Sequence, residues 1–163
     1  MALQLSYTLK GTVIETLASQ VDGASNPQVT HDQFKQSATV KDTTTATPVT
    51  KVFSDTVALS GGTATLDFTA LTSTGGGSND MTGLKLQYFY FSNTTGNAVM
   101  TISDGASNGY NVFGDASGQV TIDDGCAVAG WMNDKLADVA SGVKTIDLAG
   151  TGTESIDIML VFG

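Results

Sequence analysis

The sequence predicts an all-β protein, an antiparallel and jelly-roll-like β-sandwich with an N-terminal extended arm or hairpin. First, apolar and polar residues alternate with a period of two along most segments. Second, strand-length segments recur at a spacing of roughly 8–12 residues, separated by glycine-containing turns, as in sandwiches and barrels. Third, charged residues make up only 14% of the chain, against about a quarter in ordinary domains. No interval accommodates the crossover helices of a parallel α/β fold.

The pattern of the N-terminal region predicts an element separate from the sandwich. Leu3, Leu5, Tyr7 and Leu9 share one face of an extended segment, and we take them as the face of an assembly arm. Gly11 is expected to end this strand, with 12–17 as the return leg of a hairpin. Residues 19–48 are polar and end in an extended linker over 42–48. We therefore divide the chain into an arm, hairpin and linker (1–48) and a sandwich domain (49–163).

The sandwich domain contains the clearest strands. Residues 84–91 form the strongest one, with aromatic side chains on both faces, so we expect it to be central and covered on both sides. Residues 154–162 predict a long closing strand inside a sheet, and 60–63 a tight glycine turn. Residues 131–139 are expected to carry a short helical turn. Further strands are predicted at 49–59, 63–68, 98–103, 119–122, 126–131 and 143–148.

Composition narrows the possible partners. The net charge is −9, and all seven basic residues are lysines. Nucleic-acid binding draws on arginine forks or clustered lysines, so neither nucleic acid nor an anionic membrane is expected as a partner. The N-terminus lacks the basic start and apolar run of a signal peptide, and no segment reaches membrane-spanning length. We expect a soluble protein synthesised in a cytoplasm.

The sequence offers few groups for catalysis. His31 is the only histidine and Cys126 the only cysteine, so neither a zinc site nor an intrachain disulfide can form from them. We predict no enzyme, no catalytic residue, no metal, no cofactor and no small-molecule substrate. His31 is interpreted as a solvated loop residue, and Cys126 as a small buried hydrophobe.

Calcium and glycans remain as ligand hypotheses. Six residues in glycine-rich turns offer oxygen ligands, but no calcium-loop motif joins them, and we interpret them as turn-forming residues: Asp104, Asn108, Asn111, Asp115, Asp123 and Asp124. Tyr110, Phe113 and Trp131 lie in or beside predicted loops. They are candidates for a sugar-stacking platform, although capping the ends of the sandwich core is the favoured interpretation.

Several segments of the sandwich domain together carry a resemblance to a known family. Residues 84–97 (LKLQYFYFSNTTGN) form a hydrophobic strand ending in an Asn-Thr turn, followed by VMTI (99–102), VTIDDG (120–125), KTIDL (144–148) and SIDI (155–158). In this pattern, residues 49–163 resemble β-sandwich structural proteins of tailed bacteriophages, of the capsid decoration or cement type. The resemblance implies a non-enzymatic virion subunit on the outer capsid surface, made in the host cytoplasm.

The same resemblance implies partners. We expect a homo-oligomer, with a trimer favoured, that stabilises the shell through contacts with the major capsid protein. The alternative is a carbohydrate-binding or host-recognition module of a virion appendage. The two hypotheses differ in their tests, since the first predicts co-purification with particles and the second predicts glycan binding through Trp131 or Tyr110.

Overall fold

The structure, a computed structural model, describes residues 3–16, 28–43, 48–72, 76–114 and 117–163. Within these ranges the chain forms strands and turns and contains no helix, which confirms the all-β prediction. The strands are β1 (Gln4–Thr16), β2 (Gln28–Lys41), β3 (Lys51–Ala58), β4 (Thr63–Asp67), β5 (Leu71–Thr72), β6 (Ser78–Asn79), β7 (Leu86–Asn93), β8 (Met100–Asp104), β9 (Gln119–Ile122), β10 (Ala127–Trp131), β11 (Thr145–Ala149) and β12 (Ser155–Phe162).

Eight of these strands form a sandwich of two four-stranded antiparallel sheets. Sheet I has the order β10-β7-β12-β3, and sheet II has the order β4-β11-β8-β9. The chain passes from one sheet to the other at every step except β8 to β9, which pair directly in sheet II. This is the strand order of a jelly roll, so the predicted architecture is confirmed. β5 and β6 form a small separate ribbon.

The core lies between the two sheets. Sheet I contributes Phe53, Phe91 and Leu160, and sheet II contributes Ile102 and Leu148, all of them buried. Phe68 packs edge-on against Phe162 and Tyr110, with ring centroids 5.2 and 5.1 Å apart. Alternate residues of the strands supply these side chains, and the intervening residues point outward.

β7 is central in sheet I, as predicted, but its alternation is interrupted once. β12 pairs Val161 with Tyr88 and Phe162 with Leu86, so Gln87 is the extra residue of a β-bulge. As a result Leu86 joins the same core as Phe89 and Phe91, whereas the sequence pattern had assigned Leu86 to the opposite side. The Gln87 side chain is fully buried and accepts a hydrogen bond from the Asp134 N–H at 3.0 Å.

The N-terminal hairpin exists, but its return leg was predicted wrongly. β1 continues through Gly11 to Thr16, and its partner is β2, which lies in the polar segment 19–48 ahead of the predicted linker, where no strand is predicted. Gly11 stays paired with Phe34, and the irregularity between Gly11 and Val13 places its extra residue in β2, so the chain does not turn there. We call this β1–β2 hairpin the arm. Residues 44–47 of the expected linker lie outside the described residues.

The helical turn predicted after β10 is also wrong. Asn133 and Asp134 have φ values of 48° and 61°, and two successive left-handed residues are incompatible with a right-handed helix. The segment instead turns around the buried Gln87. By contrast, the turn at 60–63 has the expected conformation, with φ values of 61° and 85° at Gly61 and Gly62.

Candidate functional site

The outward face of sheet I changes from apolar to polar along its strands. The register aligns Trp131, Tyr88, Val161 and Val52 in one row across the four strands. The next row contains Ala129, Tyr90, Met159 and Ser54, and the third Ala127, Ser92, Asp157 and Thr56. We call these the apolar, middle and acidic rows, the last after Asp157, its single carboxylate. An aromatic and aliphatic row on an outward face requires a cover to keep water away.

The arm supplies that cover over the apolar row. Leu3 and Leu5 pack with Val161, Tyr88 and Trp131 in a cluster that also includes Val40 of β2 and Val49. Val161 is only 3% exposed although it faces away from the main core. Backbone hydrogen bonds from Asp42 to Leu3 and from Val49 to Lys41 close the base of the arm beside the start of the sandwich.

Tyr7 is the last arm residue in this contact. Its ring stacks on Trp131 with centroids 5.3 Å apart and on Tyr88 at 6.1 Å. Both interplanar angles are below 30°, so Tyr7 bridges two aromatic side chains of the apolar row. Burial, with a smaller effect from Tyr90, raises the pKa of the Tyr88 phenol. The contact therefore partly shields the centre of the row from water.

Beyond Tyr7 the arm no longer packs on the apolar row. Leu9 is 49% exposed, and Ile14 is 60% exposed. A groove of about 390 Å³ separates the arm from the middle row, with Leu9, Tyr90, Ala129 and Met159 among its lining residues. β1 extends for residues 8–16 past Tyr7, which is roughly 30 Å of strand. The arm thus has a proximal half on its own sandwich and an exposed distal half.

The predicted arm face is therefore divided by the structure. Leu3, Leu5 and Tyr7 lie against the sandwich, while Leu9 lies at the groove. Trp131, predicted as a loop aromatic, is the last residue of β10 and joins the arm contact. The sequence did not predict that Tyr88, Met159 and Val161 form the surface under the arm. Their alternation with buried residues in β7 and β12 was the available signal.

The other two predicted aromatics are separate from this surface and from each other. Tyr110 is 1% exposed. Its hydroxyl donates to the Ala137 carbonyl and accepts from the Leu86 N–H, at 2.6 and 3.1 Å. Phe113 is half-buried and packs edge-on against Phe89 at 5.8 Å. The three aromatics are thus held in three different packing environments.

The remaining candidates also differ from expectation. Cys126 is exposed, because it occupies the turn before β10, where its N–H donates to the Asp123 carbonyl. The expectation that it is buried is therefore wrong. The backbone of His31 lies in β2, opposite Val13, and not in a loop. No group of three or more His, Cys, Asp or Glu side chains suited to a metal occurs among the described residues.

The predicted calcium-type residues mainly stabilise turns. The Asp124 carboxylate accepts from the Gly96 N–H at 2.6 Å, and the Asp104 carboxylate from the Val112 N–H at 3.2 Å. Asn108 has a φ of 57°, a left-handed conformation that asparagine tolerates. Asp115 lies outside the described residues. These contacts have the geometry of turn-forming side chains.

Comparison with known proteins gives little further information. No protein-family model matches the chain, and no curated protein matches it. Among solved structures, the chain is similar to one from Bacillus endospore appendages, described as a family of disulfide-linked pili. The identity is 17%, the TM-score is 0.32, and the match covers 72% of this chain and 88% of that one. At this level the likeness identifies no family, and the phage resemblance stays a prediction.

In the described part of the chain, no helix has the length and hydrophobicity needed to cross a bilayer.

Proposed function

We propose that this protein is a non-enzymatic structural subunit of a multi-copy particle and that it assembles through the distal half of its arm. In its specific form, the proposal is a decoration or cement protein on the outer surface of a phage capsid. The observation that carries it is the division of the arm. One half packs, partly buried, on its own sandwich, while the other half presents Leu9 and Ile14 to solvent.

The exposed aliphatic residues support a contact surface at the arm. Four large hydrophobic residues are exposed in the described part of the chain: Leu9, Ile14, Val52 and Val99. Two lie on the distal arm, and Val52 belongs to the row that the arm covers. Burying a leucine or isoleucine side chain contributes about 1.5–3 kcal/mol. Repeated over many identical subunits, such contacts bind a shell without any deep pocket.

Charge supports an outward-facing position. With a net charge of −9 and no arginine, the protein is repelled by packaged nucleic acid and favours the solvent side of a shell. The outward face of sheet II fits this position, because it carries mainly Thr, Ser, Asp and Gln side chains.

Imaging tests this proposal directly. Electron cryo-microscopy would compare particles assembled without the protein, with the wild-type protein and with the L9S/I14S double variant. We expect regular density on the shell with the wild type and at least about tenfold lower occupancy with the double variant, since two aliphatic contacts are lost.

Val99→Ser is the matched control, because Val99 is 50% exposed and lies away from the arm, between β7 and β8. It should leave occupancy unchanged. The proposal fails if the wild-type protein is absent from particles. It also fails if L9S/I14S particles carry a normal load.

A further inference from the structure

Two lysines lie directly opposite each other on the arm. The register pairs Lys10 of β1 with Lys35 of β2, and both side chains are exposed. By strand alternation they share the face of Ser6 and Thr39, whose hydroxyls lie 3.1 Å apart across the hairpin. That face is opposite to the one that packs on the sandwich. The lysines therefore point away from their own sandwich.

This arrangement is electrostatically unfavourable in one isolated chain. Like charges directly opposite on an antiparallel pair are destabilising. Among the side chains that the structure describes, no carboxylate forms an ion pair with either lysine. An acidic surface placed over this face would remove the repulsion and add favourable contacts.

The rest of the same molecule has the complementary charge. Residues 1–48 carry three lysines against four carboxylates, a net charge of −1. Residues 49–163 carry four lysines against twelve carboxylates, a net charge of −8. The sandwich is thus strongly acidic, while the arm is close to neutral and presents its lysines as a pair.

The acidic row of a second copy offers a specific binding surface for the lysine pair. Asp157 is exposed on β12, with one oxygen accepting from the Thr56 hydroxyl at 2.6 Å. Asp123 and Asp124 are exposed in the turn that leads into β10 at the same end of sheet I. The arm of the same chain covers the apolar row at the other end, so these carboxylates remain uncovered by it.

We propose that Lys10 and Lys35 of one copy bind the acidic row and the Asp123–Asp124 turn of a second copy. The inference rests on the proposed function and adds the surface with which the arm of a neighbouring copy makes contact. A nucleic acid or an anionic membrane would require more cations than one lysine pair and would be repelled by the sandwich.

The test measures self-association of the full-length protein by sedimentation equilibrium. Lys35→Glu is the informative variant, because it places opposite charges across the hairpin and so strengthens the arm itself. We expect it to raise the dissociation constant of the oligomer about tenfold, in line with the loss of a charge pair at an interface. Lys135→Glu, the same charge change at an exposed lysine after β10, should change it less than about twofold.

Reversing the charges on both sides of the proposed contact provides the second part of the experiment. The K10E/K35E variant should associate more weakly still, and Asp157→Lys in the same chain should restore most of the loss. Association of the wild type should weaken between low and high salt, because exposed charges are screened. A structural defect of the arm would produce neither the rescue nor the salt dependence.

The outcomes separate this inference from the proposed function. An oligomer that is indifferent to Lys35→Glu overturns the lysine contact and leaves the particle-subunit proposal standing. A wild-type chain that stays monomeric while Lys35→Glu reduces particle binding also overturns it, and assigns the lysines to the shell. Failure of the proposed function would be recognised independently, because the L9S/I14S variant would then load particles normally.

Discussion

The two sheets of the sandwich have similar inner faces and different outer ones. Both inner faces contribute fully buried aromatic or aliphatic side chains to one core. Outside, sheet II presents short polar residues such as Thr65, whose hydroxyl donates to Asp147 at 2.6 Å. Sheet I presents a row with Trp131, Tyr88 and Val161, and the arm packs on that row and on the neighbouring Met159. The outer pattern therefore specifies where the arm packs, and the jelly roll beneath it does not.

The largest expected effect tests the similarity of the inner faces. Phe91→Ala in sheet I and Ile102→Ala in sheet II each remove a fully buried side chain. We expect a loss of about 3–5 kcal/mol for the phenylalanine and about 2–5 kcal/mol for the isoleucine. Urea unfolding followed by circular dichroism measures both. If only one of the two substitutions lowered the free energy of unfolding, a single core shared by both sheets would be contradicted.

The next effect tests the outer difference. Trp131→Ala removes the ring on which Tyr7 stacks, so we expect arm docking to weaken by about 2 kcal/mol, counting lost burial and lost stacking. Hydrogen exchange should then accelerate in β1 and β2 while protection in β8 and β11 stays unchanged. Thr101→Ala on the outward face of sheet II is the control. Equal acceleration in both variants would show that the arm does not depend on the apolar row.

An alkaline titration tests the hydrogen bonds that Tyr110 makes beneath the loops. Burial raises the pKa of Tyr110 to about 12, despite the opposing hydrogen bond from Leu86. Because the folded pKa exceeds the unfolded value of about 10, the contribution of Tyr110 to stability is constant below pH 10 and falls by roughly 1.4 kcal/mol per pH unit up to about 12.

Tyr110→Phe should abolish that share of the alkaline loss. It should also cost about 1–3 kcal/mol at neutral pH, since the Leu86 N–H and the Ala137 carbonyl lose their partner. Denaturant midpoints at pH 8, 10 and 11 measure both effects. Parallel pH profiles for the two proteins would contradict the assignment.

The smallest expected effect concerns the ion pair between Asp67 and Lys144, beside sheet II. Partial burial raises the pKa of Asp67, but hydrogen bonds from Lys144 and Thr69 outweigh it and leave the pKa below its ordinary value. The pair therefore stabilises the fold above about pH 4, and this contribution is lost as the pH falls through the depressed pKa. Lys144→Met should cost less than about 1 kcal/mol at pH 7 and shift the Asp67 titration upward, as measured by carboxyl NMR.

Much of the sandwich followed from sequence patterning, because one buried face imposes alternation. The predicted strands at 84–91 and 154–162 correspond to β7 and β12 within two residues at either end. The bulge at Gln87 could not be anticipated, since a two-residue period contains no information about register with a neighbouring strand. Likewise, the exposure of Cys126 depends on turn geometry that its apolar neighbours do not reveal.

The site was less predictable than the fold. Leu3, Leu5 and Tyr7 were identified from alternation, but β2 was missed because most of its residues are polar on both faces, which is typical of a linker. Gly11 was misleading in the same way, since a glycine inside a strand marks a bulge as readily as a turn. The apolar row became visible only when the register aligned residues from four distant segments.

The join between arm and sandwich has a mechanical consequence. β2 ends where Lys41 accepts a hydrogen bond from Val49, and β3 then pairs with β12 along its full length, from Lys51 with Phe162 to Ala58 with Ser155. A pull on the arm is transmitted along β3, parallel to the strands. The hydrogen bonds of that pair then resist in shear and share the load, instead of opening one after another like a zipper. A subunit held by its arm would bear tension through the edge strand β3 and its neighbour β12.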